Sequence, residues 1–356
     1  MGAALCVRIN QDRGNDKKMD LFRNKKFRSR AVIAFFALLS IVLPLFGFSG
    51  GDYVRSVLTF AFIYTVLGQS WNLIGGFARQ ISLGHAAFFG LGAFFTAYTC
   101  QLGLPAIVAL AVSGCLVALL SFPMGRICFS AKGPYFTIIT LALAEIFRII
   151  FLWRPELSGS EGTTLPVNFF SKGTPIYYLA LGVAAGAIWM AYRLSRSNLG
   201  LCLRSIGDDE EASQELGVRV RFAKSITLSM SAGLAGLAGG EYGLLTQYLS
   251  PNDVFSIIYS LEAIFISVVG GMGLPFGPLI GALLFSVLEE TLNPIAPGAH
   301  LLFLGSVLIT IMFLLPDGLL SLVYGKSTTG NPLAARIKRR KRERTKAARN
   351  STAQSA

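Results

Sequence analysis

Glu145, Glu262 and His85 stand inside apolar runs, which makes them the residues most able to do chemistry in such surroundings. An ionised carboxylate near the centre of a bilayer costs at least ~2.5 kcal/mol on insertion scales, so side chains of this kind face protein or water and mark ion or solute routes. Glu145 has Arg148 three residues later on the same helical face, and a local ion pair accounts for it. Glu262 has no such neighbour and is the stronger functional candidate. His85 reads as a hydrogen-bonded interior histidine, with a place beside a solute path as the alternative. Bond-making chemistry finds no support, because the chain has no nucleophile elbow, HExxH pattern or dinucleotide fingerprint. GKST at 325–328 imitates the end of a phosphate-binding loop, but Leu320 stands where that pattern requires glycine, so neither ATP hydrolysis nor another enzymatic activity is expected. Cys6, Cys100, Cys115, Cys128 and Cys202 show no CxxC or disulfide-framework spacing, and His85 and His300 are far apart. No metal, redox site or cofactor is expected in this chain.

A second kind of function is suggested by Arg193 to Phe222, the one long and densely charged interruption of the apolar sequence. Within it Gly207–Gly217, GDDEEASQELG, predicts a short helix: Asp208 as cap, Glu211 three residues on, and Gly217 as the stop. Asp209 and Glu210 add negative charge at the positive end of the helix dipole. Ala212 and Leu216, spaced i, i+4, form a narrow apolar stripe on either side of Ser213. About two turns of helix are not stable alone in water. The segment must lean on the neighbouring spans or on another protein, and the arginines flanking it read as topology signals.

The elements that must position these residues are membrane helices. The chain has 356 residues, 53% hydrophobic and 14% charged, with a mean hydropathy of +0.57, values of a polytopic membrane protein. Apolar runs near the ~20 residues that cross a bilayer fall at 31–48, 53–75, 80–100, 104–122, 134–153, 176–192, 223–247, 255–273, 276–293 and 300–323. Alternating these ten spans from a cytoplasmic N-terminus puts 28 of the 32 Lys and Arg residues on the cytoplasmic side, with only Arg55, Arg154 and Lys172 outside and Arg148 within a span. Both termini and the stretch around Gly207–Gly217 are therefore expected in the cytoplasm. The net charge of +13 follows from this asymmetry, and nucleic acid is not an expected partner. The expected organisation is a basic segment 1–30, a membrane domain 31–323 that includes the loop 193–222, and a basic tail 324–356 suited to anionic lipid. The first apolar run reads as an uncleaved span, and Met19 is an alternative start.

Small residues recur at four-residue spacing: Ser82, Ala86 and Gly90; Gly182 and Gly186; Gly236 and Gly240; Gly273, Gly277 and Gly281. Close helix packing accounts for Gly182, Gly186, Gly236 and Gly240. GGFARQISLGHAAFFG and VVGGMGLPFGPLIG instead set glycine among polar residues or prolines in mid-span, as in broken helices that line transport routes. Asn72, Ser82, His85, Glu262, Gly270, Gly271, Gly273 and Gly277 are accordingly the candidates for a translocation pathway.

Four segments, GGFARQISLGHAAFFGLGAF, KGPYFTIITLALAEI, LRSIGDDEEASQELGVRVRFAKSITLSMSAGLAGLAGGEYG and SPNDVFSIIYSLEAIFISVVGGMGLPFGPLIGA, follow one another through residues 55 to 320. In this order they resemble the permease subunits of ABC importers for branched-chain amino acids, the LivM-like branch. The resemblance implies an all-helical permease whose central cytoplasmic loop carries a coupling helix that fits an ATPase cleft. Glu211, Ala212, Ser213 and Gly217 match that family's EAA-xxx-G spacing, with serine for the second alanine. Thr227, Ser229 and Met230 stand in the neighbourhood where the motif continues with isoleucine and Leu-Pro. The outer SGSEGTT is similar to the family's Gly-rich loop but carries Glu161 and lacks TGG. The resemblance further implies a second homologous permease, two ATPase subunits that use the ATP, and an extracytoplasmic binding protein. Relatives of this architecture include importers of leucine, isoleucine and valine and of urea or short amides. The residues alone leave an ion-gradient-driven transporter or channel, with Glu145 and Glu262 as coupling carboxylates, as the alternative.

Overall fold

Apolar runs of this length become helices because only a helix satisfies every backbone group within one segment. The computed structural model describes residues 51–131, 133–154, 162–165 and 174–292, with the short pieces 305–306, 309–310 and 318–320. The chain divides into residues 1–55 and 56–356, and the second unit is described here with the helix that leads into it. The expected spans 31–48 and, for the most part, 300–323 lie outside the described residues, as do the basic ends and His300.

Helix α1 (Gly51–Trp71) ends in a π-helical turn, Asn72–Gly76. After a non-helical stretch come α2 (His85–Gln101), α3 (Ala106–Cys128) and α4 (Pro134–Trp153), the last with proline in its first turn. A two-residue strand β1 (Thr163–Thr164) precedes α5 (Thr174–Ser195), α6 (Asn198–Asp208), α7 (Glu210–Glu215) and the long α8 (Val220–Thr246). Strand β2 (Tyr248–Leu249) pairs antiparallel with β1, Thr163 opposite Leu249, and α9 (Pro251–Val254), α10 (Ile257–Gly270) and α11 (Gly277–Leu292) follow. The structure is mostly helical. Among the described residues five helices are long and apolar enough to cross a membrane: Tyr53–Gly76, Ala106–Cys128, Pro134–Trp153, Thr174–Ser195 and Pro251–Gly270.

The other expected spans differ for a physical reason. α2 and α11 are short because glycine-rich breaks consume part of each apolar run. α8 is long enough but carries Ser, Thr and Gly along much of its length, and it packs mainly against α2 and α3. Surrounded by protein, it gains more from close backbone approach than from bulk. A Cβ at Gly92 would overlap the Gly236 carbonyl, and one at Gly239 would overlap that of Phe89. Gly236 and Gly240 therefore serve helix packing as expected. Gly182 and Gly186 meet no helix among the described residues: α5 buries Ile176, Tyr177, Ala180, Ala184, Ala187 and Ala191, which turns both glycines outward with no described atom within 4 Å. Large apolar side chains such as Ile107, Leu119, Ile138, Ile146 and Trp189 are exposed on α3, α4 and α5, the composition of a lipid-facing surface.

Candidate functional site

The two glycine-rich segments are both breaks in helices, and they are tied to each other. Gly273, at φ +71°, turns the chain between α10 and α11 in a conformation that side chains disfavour. Asn72, in the π turn, holds this turn from across the break: its Nδ2 donates to the Leu274 carbonyl at 3.1 Å, and its Oδ1 accepts from Gly273 N–H at 2.8 Å. Gly270 and Gly277 meet so closely that a Cβ at either would strike the other's vicinity. The non-helical stretch 77–84 is held by bonds of the same kind. Trp71 Nε1 donates to the Ser82 carbonyl at 3.0 Å, the Ser260 hydroxyl donates to the Leu83 carbonyl at 2.7 Å, and Ser260 Oγ accepts from Ala86 N–H at 2.8 Å. The Ser82 hydroxyl accepts from Gly84 N–H at 3.3 Å. Such pairing is what allows unwound backbone inside a membrane protein.

His85 begins α2 and is fully buried. The Ser231 hydroxyl donates to the Ser70 carbonyl at 2.6 Å, so His85 Nε2, 2.9 Å from Ser231 Oγ, is assigned as the donor to it. Nδ1 has no partner among the described residues. The structure thus brings Asn72, Ser82, His85, Gly270, Gly271, Gly273 and Gly277 to one knot of interrupted helices.

Glu262 lies elsewhere, among Tyr64, Tyr259, Asp253 and Glu289, with which it interacts electrostatically. It is 6% exposed, and its Oε2 has no partner among the described residues. Glu145 is exposed on α4 rather than turned inward. Arg148 pairs with both its carboxylate oxygens, as the spacing predicts, and also donates to Asn252 Oδ1 at 2.7 Å. Sequence reasoning overlooked Glu241, which is completely buried in α8 with both carboxylate oxygens unpartnered among the described residues. Its signal was a lone acid within the run 223–247, hidden by the glycines around it.

The charged segment is two helices, not one. Asn198–Asp208 forms α6, capped by Ser197 Oγ accepting from Gly200 N–H at 3.1 Å, with Leu203 and Ile206 buried. The signal, apolar Leu199, Leu203 and Ile206 at i, i+4 and i+7 behind a serine, was present in the sequence. As a consequence Asp208 closes α6 and pairs with Arg79 at 2.8 Å, and the cap of α7 is Asp209, whose Oδ1 accepts from the N–H groups of Glu211 and Ala212 at 3.0 Å each. Arg204 rests over the Phe77 ring, so this arginine packs as well as carrying charge. Gly217, at φ +86°, ends α7 as expected.

The apolar stripe of α7 faces away from the chain. Ser213 is the buried residue: its hydroxyl donates to the Asp209 carbonyl at 2.7 Å and accepts from Ser205, also at 2.7 Å. Leu216 is 83% exposed. Glu210 reaches back to Lys224 at 2.6 Å, where the lysine side chain is only 4% exposed. Gly207 lies 3.2 Å, measured from the position of an added Cβ, from the Phe77 carbonyl at the start of the broken stretch. One end of the α6–α7 elbow is therefore seated on the interrupted helices, and its apolar face has no partner among the described residues.

A bundle of membrane-length helices with two interrupted helices clasped together defines a multi-pass membrane transport protein. The chain belongs to the family of branched-chain amino acid transport system permease components, whose model matches residues 53–312. It is a multi-pass protein of the inner membrane, and membership implies a transport subunit that associates with ATPase and substrate-binding partners. It is 28% identical to the high-affinity branched-chain amino acid permease protein LivM of Escherichia coli K12, over 74% of this chain and 69% of that one. It is 23% identical to the ribose import permease protein RbsC of Haemophilus influenzae, over 82% of this chain and 92% of that one. With the autoinducer 2 import permease protein LsrC of Salmonella paratyphi B it shares 25% identity over 52% of each. No solved structure matches the chain.

Proposed function

We propose that this chain is one permease subunit of an ATP-driven importer for branched-chain amino acids or a related small amino acid or amide. The reading takes ten spans with both termini cytoplasmic, a basic segment 1–30, a membrane domain 31–323 with its loop 193–222, and a tail 324–356 against anionic lipid. The partners are a second homologous permease, two ATP-binding-cassette subunits and an extracytoplasmic binding protein. ATP is used by the cassettes, and this chain itself holds no cofactor. Asn72, Ser82, His85, Glu262 and Gly270, Gly271, Gly273 and Gly277 belong to the pathway.

One observation carries the reading. α7 presents Ala212 and the 83%-exposed Leu216 outward while Ser213, Glu210 and Asp208 fasten the elbow inward. An apolar tip on a polar loop, rigidly seated on broken helices, is the form of a lever moved by another protein. Gly207, Asp208, Asp209, Glu210, Glu211, Ala212, Ser213, Leu216 and Gly217 form the coupling contact. Leu216→Asp is expected to abolish ATP-dependent uptake with the chain still present in the membrane at normal amount. Full uptake in that variant would sink the coupling assignment.

A further inference from the structure

The acids of α9, α10 and α11 form an unbalanced group. Asp253 is exposed on α9, Glu289 is half-buried on α11, and Glu262 is buried on α10. Glu262 interacts electrostatically with both other acids. Every described ion pair lies elsewhere, at Arg79–Asp208, Glu145–Arg148 and Glu210–Lys224. Phenols stand between the acids: Tyr64 donates to Glu289 Oε1 at 3.3 Å, and Tyr242 donates to Asp253 Oδ2 at 3.4 Å. Tyr259, one turn before Glu262, stacks on Phe89 with centroids 4.3 Å apart and meets Tyr242 edge-on at 5.6 Å. Burying a carboxylate without a cation is costly, and the buried Glu262 Oε2 has no hydrogen-bond partner among the described residues. Among the described residues no cation pairs with any of these three acids.

The arrangement selects the kind of cation. No three acidic, histidine or cysteine side chains among the described residues come together closely enough to hold a metal ion. Carboxylates spaced by aromatic rings suit an organic ammonium, which donates charge-assisted hydrogen bonds to the carboxylates on one side and meets ring faces on the other. We infer that Glu262, with Tyr259, Tyr242 and Tyr64 around it and Asp253 and Glu289 toward the surface, forms a recognition site for the ammonium group of the transported solute. This deepens the importer reading and rests on it: the chain would recognise an amine, and neutral sugars of the kind named for one relative would find no counter-charge there.

The complete purified importer, with its ATPase and second permease subunits, tests this by equilibrium binding of radiolabelled L-leucine, isocaproate (leucine without its amine) and methylammonium. Leucine and methylammonium are expected to bind and compete, isocaproate to bind far less, and sodium not to compete. In Glu262→Gln the affinity for both amines should fall by about tenfold or more, the loss of a charge-assisted bond, while Glu290→Gln leaves it unchanged. Tyr259→Phe, which keeps the ring and removes the hydroxyl, should fall less, and guards against a folding defect in the first variant. Equal binding of isocaproate, undiminished amine binding in Glu262→Gln, or displacement by sodium overturns the site. Failure of the wild type to bind or import leucine, with methylammonium binding still dependent on Glu262, overturns the amino-acid reading and leaves the site standing.

Discussion

Asn72 shows how one polar side chain substitutes for a missing turn of helix. It offers a donor and an acceptor to the backbone of a segment 201 and 202 residues away, and no apolar residue of its size does both. Asn72→Ala should destabilise the membrane domain by about 1–3 kcal/mol, since Gly273 N–H and the Leu274 carbonyl lose their partner at a part-buried position. A thermal unfolding midpoint of the detergent-solubilised protein measures this, and an unchanged midpoint would show the clasp to be dispensable. Both carboxylate oxygens of Glu241 and Oε2 of Glu262 illustrate the opposite case, polar atoms without partners among the described residues. In a chain that spans a membrane, such groups are the first candidates for contact with a bound molecule.

At the scale of elements, the short helix α7 owes its form to tertiary support. Six residues would not stay helical alone, and three attachments hold them: the Asp209 cap, the Ser205–Ser213–Asp209 hydroxyl chain, and the Glu210–Lys224 pair. The last joins α7 to the first turns of α8, the helix at the centre of the packing. Lys224→Met leaves Glu210 unpaired, and since Glu210 is 30% exposed the cost should fall below the about 3–5 kcal/mol of a fully buried pair. The expected outcome is ATP hydrolysis by the assembled complex that no longer drives uptake, partly restored by adding Glu210→Gln. Uptake and hydrolysis that remain coupled in Lys224→Met would assign the pair a purely local role.

For the whole molecule, the elbow α6–α7 touches the broken stretch after α1 through Gly207, Asp208 and Arg204, and that stretch is bonded in turn to α10 through Ser260. A displacement of α7 therefore has a contiguous path of rigid contacts to the helices that carry the candidate pathway residues. Energy is expected to enter only through that elbow. Uptake in whole cells should persist when proton and sodium gradients are collapsed with ATP maintained, and loss of uptake under those conditions would favour the gradient-driven alternative built on Glu145 and Glu262.

Much of this was determined by the sequence itself. Hydrophobic run length marks helices because a bilayer forbids unpaired backbone, and the expected runs from 53–75 to 276–293 coincide with described helices. Glycine beside polar residues marked both breaks, and the i, i+3 spacing of Glu145 and Arg148 specified their pair. Other features depended on neighbours distant in the chain. That Asn72 closes on Gly273, that Gly182 and Gly186 face outward, and that Ser213 is buried while Leu216 is exposed are consequences of which helix faces meet, and local periodicity does not encode them. The stretch Gly207–Gly217 was legible as a helix that needs a partner. Only the contacts of Ser213 with Ser205 and of Glu210 with Lys224 decided that its polar face is turned inward and that its apolar face has no partner among the described residues.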